Sequence, residues 1–426
     1  MGYFFPRLVP RGSLVTRPVT YRPRLAERHL EAVLGVQPVA VLMGARQAGK
    51  STLVRHAGAL QHHTYLTLDA LDVRAQAQAD PEGLVSRGTN LIIDEVQRAP
   101  DVVVAVKAAV DAAPRRPGRF VLTGSANLLA LRHVKETLAG RASYVTLWPL
   151  TRREALGLGT AGCWADLVAA AVADWPAILE DQSAPPADWR ALVRRSAYPT
   201  VATGRLTAAQ QADWLQGYLD AFASREIPEL SQISRPLDLI RLMRAAATHV
   251  GQVEHQTTWT RATGLPRSTV SRWTDLLEVS YQLLRVPAYS VNRTKRLTRS
   301  PKIFWSDTAM ALHLSGLPEP TGHHLENLIV TNLAAWCGSQ SVRPTVYHWR
   351  TVDQREVDLV LELPTGQVLA IEIKGGARPG WTDVPGLRAF MDEYSDLVLG
   401  GLVLHGGKET YRLDARTVAT PWWHAT

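Results

Sequence analysis

The sequence has little cysteine: only Cys163 and Cys337 occur in 426 residues. That excludes a disulfide framework and a thiolate zinc cluster. It has no apolar run approaching the roughly 18 residues a membrane span requires, and no charged-then-apolar leader opens it. Repeats and low-complexity tracts are absent too, which excludes a solenoid array. Charged residues make up 20% and hydrophobic residues 46%, a globular rather than a disordered balance. At roughly 100–200 residues per domain, two to four domains are expected, in a soluble, cytoplasmic protein that does not meet a membrane. The stretch Leu8-Val9-Pro10-Arg11-Gly12-Ser13 reads as a thrombin-cleavable linker, so residues 1–13 are expected to be a tag. Without Arg7 and Arg11 the formal charge falls from +8 to +6.

What the chain does have is a phosphate-binding pattern. Gly44-Ala45-Arg46-Gln47-Ala48-Gly49-Lys50-Ser51 fits G-x-x-x-x-G-K-[ST] at every position, with Thr52 following. The apolar run Val39–Met43 precedes it as a buried strand, and Ser51–Ala59 continues as a helix. Glycines let backbone N–H groups wrap phosphates, and the helix N-terminus adds its dipole. Lys50 is placed to reach the β- and γ-phosphates of ATP, and the Ser51 hydroxyl to bind Mg²⁺. Leu91-Ile92-Ile93-Asp94-Glu95 reads as a second buried strand delivering Asp94 to hold Mg²⁺ through water. Glu95 beside it is the candidate to orient the attacking water, with a surface ion pair as the alternative. A third strand, Phe120–Thr123, leads to Ser125 and Asn127, candidates to sense the γ-phosphate or simply helix caps. Arg141 and Arg225 are candidate donors to transition-state charge, from this chain or a neighbouring copy, or else structural ion-pair partners.

The basic excess is concentrated. Between Arg261 and Lys302 nine Lys/Arg stand against Asp275 and Glu278. Such a stripe is the footprint of a phosphate-backbone binder, or of a solvated face or a contact with an acidic domain. A short helix ending at Gly264 and an amphipathic helix from Leu265 to Glu278 give a helix-turn-helix plan. Arg267, Ser268, Ser271 and Arg272 lie off its apolar face. A hairpin, Tyr281–Val286 with Lys302–Trp305, is expected to enclose a basic wing carrying Arg293, Lys295, Arg296 and Arg299. DNA is therefore the expected partner, and a packing module of the same shape is the alternative.

A further acidic pattern follows. Arg355–Leu361 and Val368–Lys374 read as two strands joined by a Pro364-Thr365-Gly366 turn. Asp358 on the first and Glu372-Ile373-Lys374 on the second match the D…ExK pattern of nucleases. Asp358 and Glu372 are placed to hold Mg²⁺, Lys374 to position water, and Glu326 on the preceding helix to add an acid. An ordinary half-exposed hairpin with an acid–lysine pair is the alternative. The pairs His62-His63 and His323-His324 read as surface residues, and the 13 tryptophans as core and interface anchors.

Taken together, GARQAGKSTL, LIIDEVQRAP, FVLTGSANLL, LAGR, WPL, the Ala197-Tyr198-Pro199 triplet, EVDLVLE and IEIKGG resemble prokaryotic P-loop ATPases of the AAA+/archaeal-type group that carry a DUF4143 region. The likeness covers most of the chain. It implies an α/β fold class: a P-loop NTPase core, a winged-helix middle and a PD-(D/E)xK endonuclease-like α/β domain. Lys50, Ser51, Asp94 and Glu95 match the ATPase motifs, and Asp358, Glu372 and Lys374 the endonuclease-like one. Ser51 stands where many relatives have threonine, which keeps the hydroxyl. The expected organisation is an ATPase core over 14–150, a helical lid or linking segment over 151–235, a winged-helix-like module over 236–318 and an endonuclease-like domain over 319–426. The expected function is an ATPase that binds and remodels DNA. A nucleotide-gated nuclease and a nucleotide switch for a protein partner are the alternatives, and homo-oligomerisation stays open.

Overall fold

A computed structural model describes residues 21–112, 114, 116–124, 137–159, 162–227 and 235–426. The apolar runs become strands β1 (Val39–Met43), β2 (Thr64–Thr67), β3 (Leu91–Asp94), β4 (Phe120–Thr123) and β5 (Ala142–Thr146). They form one parallel sheet in the order β2-β3-β4-β1-β5. β1, β3 and β4 are buried along their whole length, because helices cover both faces of a parallel sheet. One face packs Leu30, Leu53, Val54, Val121 and Val145; the other packs Val102, Val106, Leu122 and their neighbours. All five strands run the same way, so the carboxyl ends of β1, β3 and β4 open on one edge.

The second core continues without a break into the middle of the chain. Leu215, Tyr218 and Phe222 join it, as do Leu242, Trp259, Trp273 and Trp305. Here helices Pro236–Ala247, Gln256–Thr263 and Arg267–Val279 precede a two-stranded antiparallel hairpin, β6 (Leu283–Val286) and β7 (Lys302–Trp305). Gly264 adopts φ +72° at the end of the second helix, the left-handed cap that lets the chain turn into the third. The connection between β6 and β7 is not a bare wing: Arg293–Thr298 is helical, capped by Asn292.

A six-stranded mixed sheet follows, built from β8 (Thr345–Arg350), β9 (Glu356–Glu362), β10 (Val368–Lys374), β11 (Val398–His405), β12 (Tyr411–Arg412) and β13 (Thr417–Pro421). Its order is β12-β13-β11-β10-β9-β8. β10 is antiparallel to β9 and parallel to β11, which it reaches through the helix Pro385–Glu393. The 18-residue helix Gly322–Ser339 packs Leu325, Ile329 and Leu333 on the opposite face.

The segment 151–235 does not form one lid. Trp164, Trp175 and Trp189 are buried with Leu359, Leu369, Ile371 and Trp422 in the core of the six-stranded sheet. Pro199, Thr200 and Glu226 instead face the first sheet's open edge. The physical reason is the apolar load of 163–193, whose large aromatic side chains bury against a sheet face rather than staying over a solvent-filled cleft. Among the described residues no helix is long and apolar enough to cross a membrane.

Candidate nucleotide-binding site

β1 ends at Met43 and the chain turns at Gly44, with φ +152°. A Cβ there would lie 2.1 Å from the Leu147 carbonyl oxygen, so only glycine lets the loop pass beside β5. Gln47 (φ +59°) and Gly49 (φ +100°) are also left-handed and bring the loop to the helix Lys50–His56. Lys50 is buried and donates to the carbonyls of Gly44 and Ala45, 3.0 Å each. Burial pulls its pKa below the ordinary lysine value, against the opposing charges of Glu95, Glu226 and Asp94. Arg46, Gln47, Gly49, Lys50, Ser51 and Thr52 line a cleft of about 310 Å³. Ala45 and Ala48 are buried beneath the loop.

Asp94 ends β3 and is buried, and both its oxygens are used. Tyr65 donates to Oδ2 at 2.5 Å and the Thr123 hydroxyl donates to Oδ1. β4 lies between β1 and β3, so Thr123 at its end stands between the phosphate loop and the acid. Glu95 adopts φ +58°, uncommon for a residue with a side chain and worth on the order of 1–3 kcal/mol of strain. Its N–H donates to Thr123 Oγ1 at 3.3 Å, and the Gln97 amide donates to its carboxylate. Glu95 opens onto the cleft; Asp94 stands behind it.

Residues to which the sequence assigned no role complete the cleft. Asp69, Gln97, Arg98, Pro199, Thr200 and Glu226 line it, and Arg46 lies 3.8 Å from Glu226. Glu226 comes from a π-helical turn, Phe222–Glu226, that extends the helix Ala208–Ala221; such turns concentrate at functional sites. Beneath the loop, Arg24 donates to the carbonyls of Ala48 (2.9 Å) and Trp148 (2.6 Å) and pairs with Glu154 at 3.3 Å.

Arg141 does not belong to this cleft. It precedes β5 and its carbonyl accepts from the N–H of Val39 at the start of β1, at the opposite end of the sheet from the loop. There it pairs with Asp111 at 2.5 and 2.9 Å. The parallel register leaves it about five residues of strand away, on the order of 15 Å, from its own chain's phosphate loop. Ser125, Asn127 and the side chain of Arg225 lie outside the described residues.

Glu326, Glu356 and Asp358 lie around a cation of the chain's own, with Glu372 beside them. Asp358 Oδ2 accepts the Ile373 N–H at 2.8 Å, and Lys374 pairs with Glu372 at 2.9 Å. Lys302, the last cation of the basic stripe, is buried, with its ammonium 3.5 Å from Glu326, 3.6 Å from Asp358 and in contact with Glu356. Burial alone would lower the Lys302 pKa, but Glu326, Asp358 and Glu356 together raise it. Burial, with repulsion from Glu372 and Glu326, raises Asp358 well above the usual carboxylate range. His324 is wholly buried rather than on the surface, and His323 pairs with Glu326 at 3.0 Å.

Residues 36–156 match the AAA domain family, 186–321 the domain of unknown function DUF8612, and 321–425 the domain of unknown function DUF4143. The chain carries an AAA-type P-loop ATPase domain and, after it, a DUF4143 region. It is similar to the uncharacterized proteins Rv2008c of Mycobacterium tuberculosis and Mb2031c of Mycobacterium bovis, each 29% identical over 409 residues. In both cases that is 93% of this chain and 83% of the relative. Among solved structures it is similar to the Walker-type ATPase paby2304 of Pyrococcus abyssi, at 15% identity. That likeness covers 70% of this chain and 99% of the other, with a TM-score of 0.40.

Between the AAA domain and the DUF4143 region, the basic residues differ in exposure. Arg267, Ser268 and Arg272 are exposed on the helix Arg267–Val279, with Ser271 half-buried; Arg293, Lys295 and Arg299 are exposed beyond β6. Three other cations are half-buried or buried against carboxylates of the chain. Arg285 pairs with Glu254 (2.9 Å), Asp275 (2.6 Å) and Glu278 (2.8 Å), and Lys302 is the buried cation among the acids. Arg296 donates to both oxygens of Glu362 at 2.7 and 2.8 Å and stacks on Tyr289 and Tyr347. Arg296 is thus corrected from a DNA candidate to an anchor of the hairpin on the DUF4143 sheet. Its partner is 66 residues away in sequence, so charge counting could not find it.

Proposed function

We propose that this chain is an ATPase whose nucleotide state is passed to a DNA-binding middle region. The observation that carries the reading is the composition of the cleft. The phosphate loop supplies one wall, while Pro199, Thr200 and Glu226 supply another, and their chain neighbours Tyr198, Phe222 and Ile227 share the core of the helices and hairpin that follow.

The residues present suit ATP with Mg²⁺. The left-handed residues of the loop suit a nest of backbone N–H groups for phosphate. Lys50 already holds its ammonium inside the loop and exchanges two carbonyls for phosphate oxygens. Ser51 and Asp94 offer the hydroxyl and carboxylate that would hold the ion. The ion, when bound, neutralises charge on the phosphates. Glu95, aimed by Gln97 and by its own strained backbone, orients the attacking water and accepts its proton. Phosphate charge competes with Glu226 for Arg46 and repels the Glu226 carboxylate, which displaces the π-helical turn and the helix before it.

On this reading the helices and hairpin over 236–318 form a winged-helix module, and the six-stranded sheet an endonuclease-like domain. Arg267, Ser268, Ser271, Arg272, Arg293, Lys295 and Arg299 meet DNA, the first four in the major groove and the others on the backbone. Localisation in the cytoplasm fits that task. DNA affinity measured in the presence of ADP and of a non-hydrolysable ATP analogue tests the coupling. The two affinities should differ and both should fall steeply with salt; identical affinities in the two states would contradict it.

A further inference from the structure

Four carboxylates converge where the hairpin meets the DUF4143 sheet. Glu326 comes from the helix Gly322–Ser339, Glu356 and Asp358 from β9, and Glu372 from β10. Against them stand Lys302 and Lys374, with Arg350 3.7 Å from Glu356 and His323 3.0 Å from Glu326 at the rim. Lys374 pairs with Glu372 Oε1, whereas Lys302 lies within reach of the other three acids. Glu372 Oε2 is buried and has no hydrogen-bond partner among the described residues. An excess of carboxylates and an orphaned carboxylate oxygen are the chemistry of a site for a hard divalent cation. The site as folded does not fit one. Glu326 and Asp358 oxygens stand 3.5 and 3.6 Å from the Lys302 ammonium, at ion-pair distance, and an ion bound by oxygens at about 2.1 Å would share its space with that charge. Among the described residues no group of three or more His, Cys, Asp or Glu is arranged to hold a metal.

Lys302 does not belong to the acidic domain's own strands. It opens β7, opposite Val286 in the hairpin. The same hairpin region is fastened a second time to β9, where Arg296 grips Glu362 with both amino groups. The two attachments lie at either end of one strand, so the ammonium is delivered to the acids by a docked neighbouring element. We propose that Lys302 is a built-in counter-cation that occupies and closes a latent Mg²⁺- or Mn²⁺-type site formed by Glu326, Asp358 and Glu372. The DUF4143 region is then silent toward metal while the hairpin stays docked, and withdrawal of the hairpin exposes the site.

The test uses the full-length protein without nucleotide, titrated with Mn²⁺ while free ion is followed by electron paramagnetic resonance. Wild type and Glu372→Gln should bind Mn²⁺ identically. Lys302→Met should gain one further Mn²⁺ per chain, and that gain should vanish in the Lys302→Met/Glu372→Gln double variant. A wild-type Mn²⁺ site that Glu372→Gln abolishes overturns the proposal, and so does a folded Lys302→Met protein that gains none. Removing a buried cation can unfold the chain, because it leaves buried carboxylates unpaired. In that case the thermal melt of Lys302→Met is read with and without Mn²⁺: restored cooperative melting supports the proposal, and no restoration counts against it. These outcomes are independent of ATP turnover, so they separate from a failure of the ATPase reading.

Discussion

Replacing Arg24 by alanine removes a guanidinium that the phosphate-binding motif does not contain but on which the loop rests. Its side chain is 4% exposed and that of its partner Glu154 3%. The substitution takes charged donors from the carbonyls of Ala48 and Trp148 and leaves Glu154 without its counter-ion. Breaking a buried pair from one side costs about 3–5 kcal/mol. Glu154 keeps the N–H groups of Leu25 (2.7 Å) and Thr151 (2.8 Å), so the cost should fall near the lower end, about 3 kcal/mol. With a urea dependence of about 2 kcal/mol per molar, the unfolding midpoint of the AAA domain should drop by about 1.5 M. Tryptophan fluorescence during urea titration reads this, since Trp148 lies next to the site. Nucleotide affinity should fall with it, because the Ala48 carbonyl belongs to the loop. The control is Arg141→Ala, whose exposed pair with Asp111 sits at the far end of the sheet and whose loss should leave the midpoint unchanged. A shift for Arg24→Ala no larger than that of Arg141→Ala would refute the buried-pair reasoning.

Three other consequences follow from the same geometry. Gly44→Ala should abolish binding of a fluorescent ATP analogue, because the new methyl meets the Leu147 carbonyl at 2.1 Å; retained affinity would show that the loop can pass elsewhere. The double variant Arg267→Ala/Arg272→Ala should weaken DNA binding and reduce the slope of log affinity against log salt by about 2, whereas Arg285→Ala should leave that slope unchanged and lower stability, since Arg285 is held by Glu254. Burial, aided by the charge of Lys302 at His348, holds the pKa values of His348 and His405 at about 4, below the ordinary 6.5. The folded state therefore binds fewer protons than the unfolded chain: stability is complete above pH 6.5 and declines as pH falls from 6.5 toward 4. Melting curves between about pH 7.5 and about pH 4.5 should show the decline, and His348→Asn should flatten it; a melting temperature that rises on acidification would contradict the assignment.

Much of this site was legible in the chain because its chemistry is local. A loop that wraps phosphate needs glycine at Gly44 and Gly49 and a lysine at the next residue, all within one short stretch of sequence. β1, β3 and β4 announce themselves for a similar reason, since a strand buried on both faces is an unbroken apolar run. What was hidden depends on contacts between distant segments. Arg141 stands near a matching motif in sequence, yet strand direction places it at the wrong end of the sheet. Lys302 and Arg296 look like two more members of a basic stripe until β9 supplies their partners. Trp164, Trp175 and Trp189 read as core or interface anchors, but only the fold shows that they anchor the DUF4143 sheet and not a lid. Glu226 carries no motif at all; its π-helical turn and its burial beside Lys50 are the signals, and both are three-dimensional.

The central claim is that the loop at Gly44–Ser51 turns over ATP in service of the DNA-binding region. Steady-state ATP hydrolysis by wild type and Lys50→Ala, each with and without single-stranded, duplex and branched DNA, tests it most directly. The account predicts turnover by wild type that DNA stimulates, and none by Lys50→Ala. Equal turnover by the two proteins, or hydrolysis indifferent to every form of DNA, would contradict it.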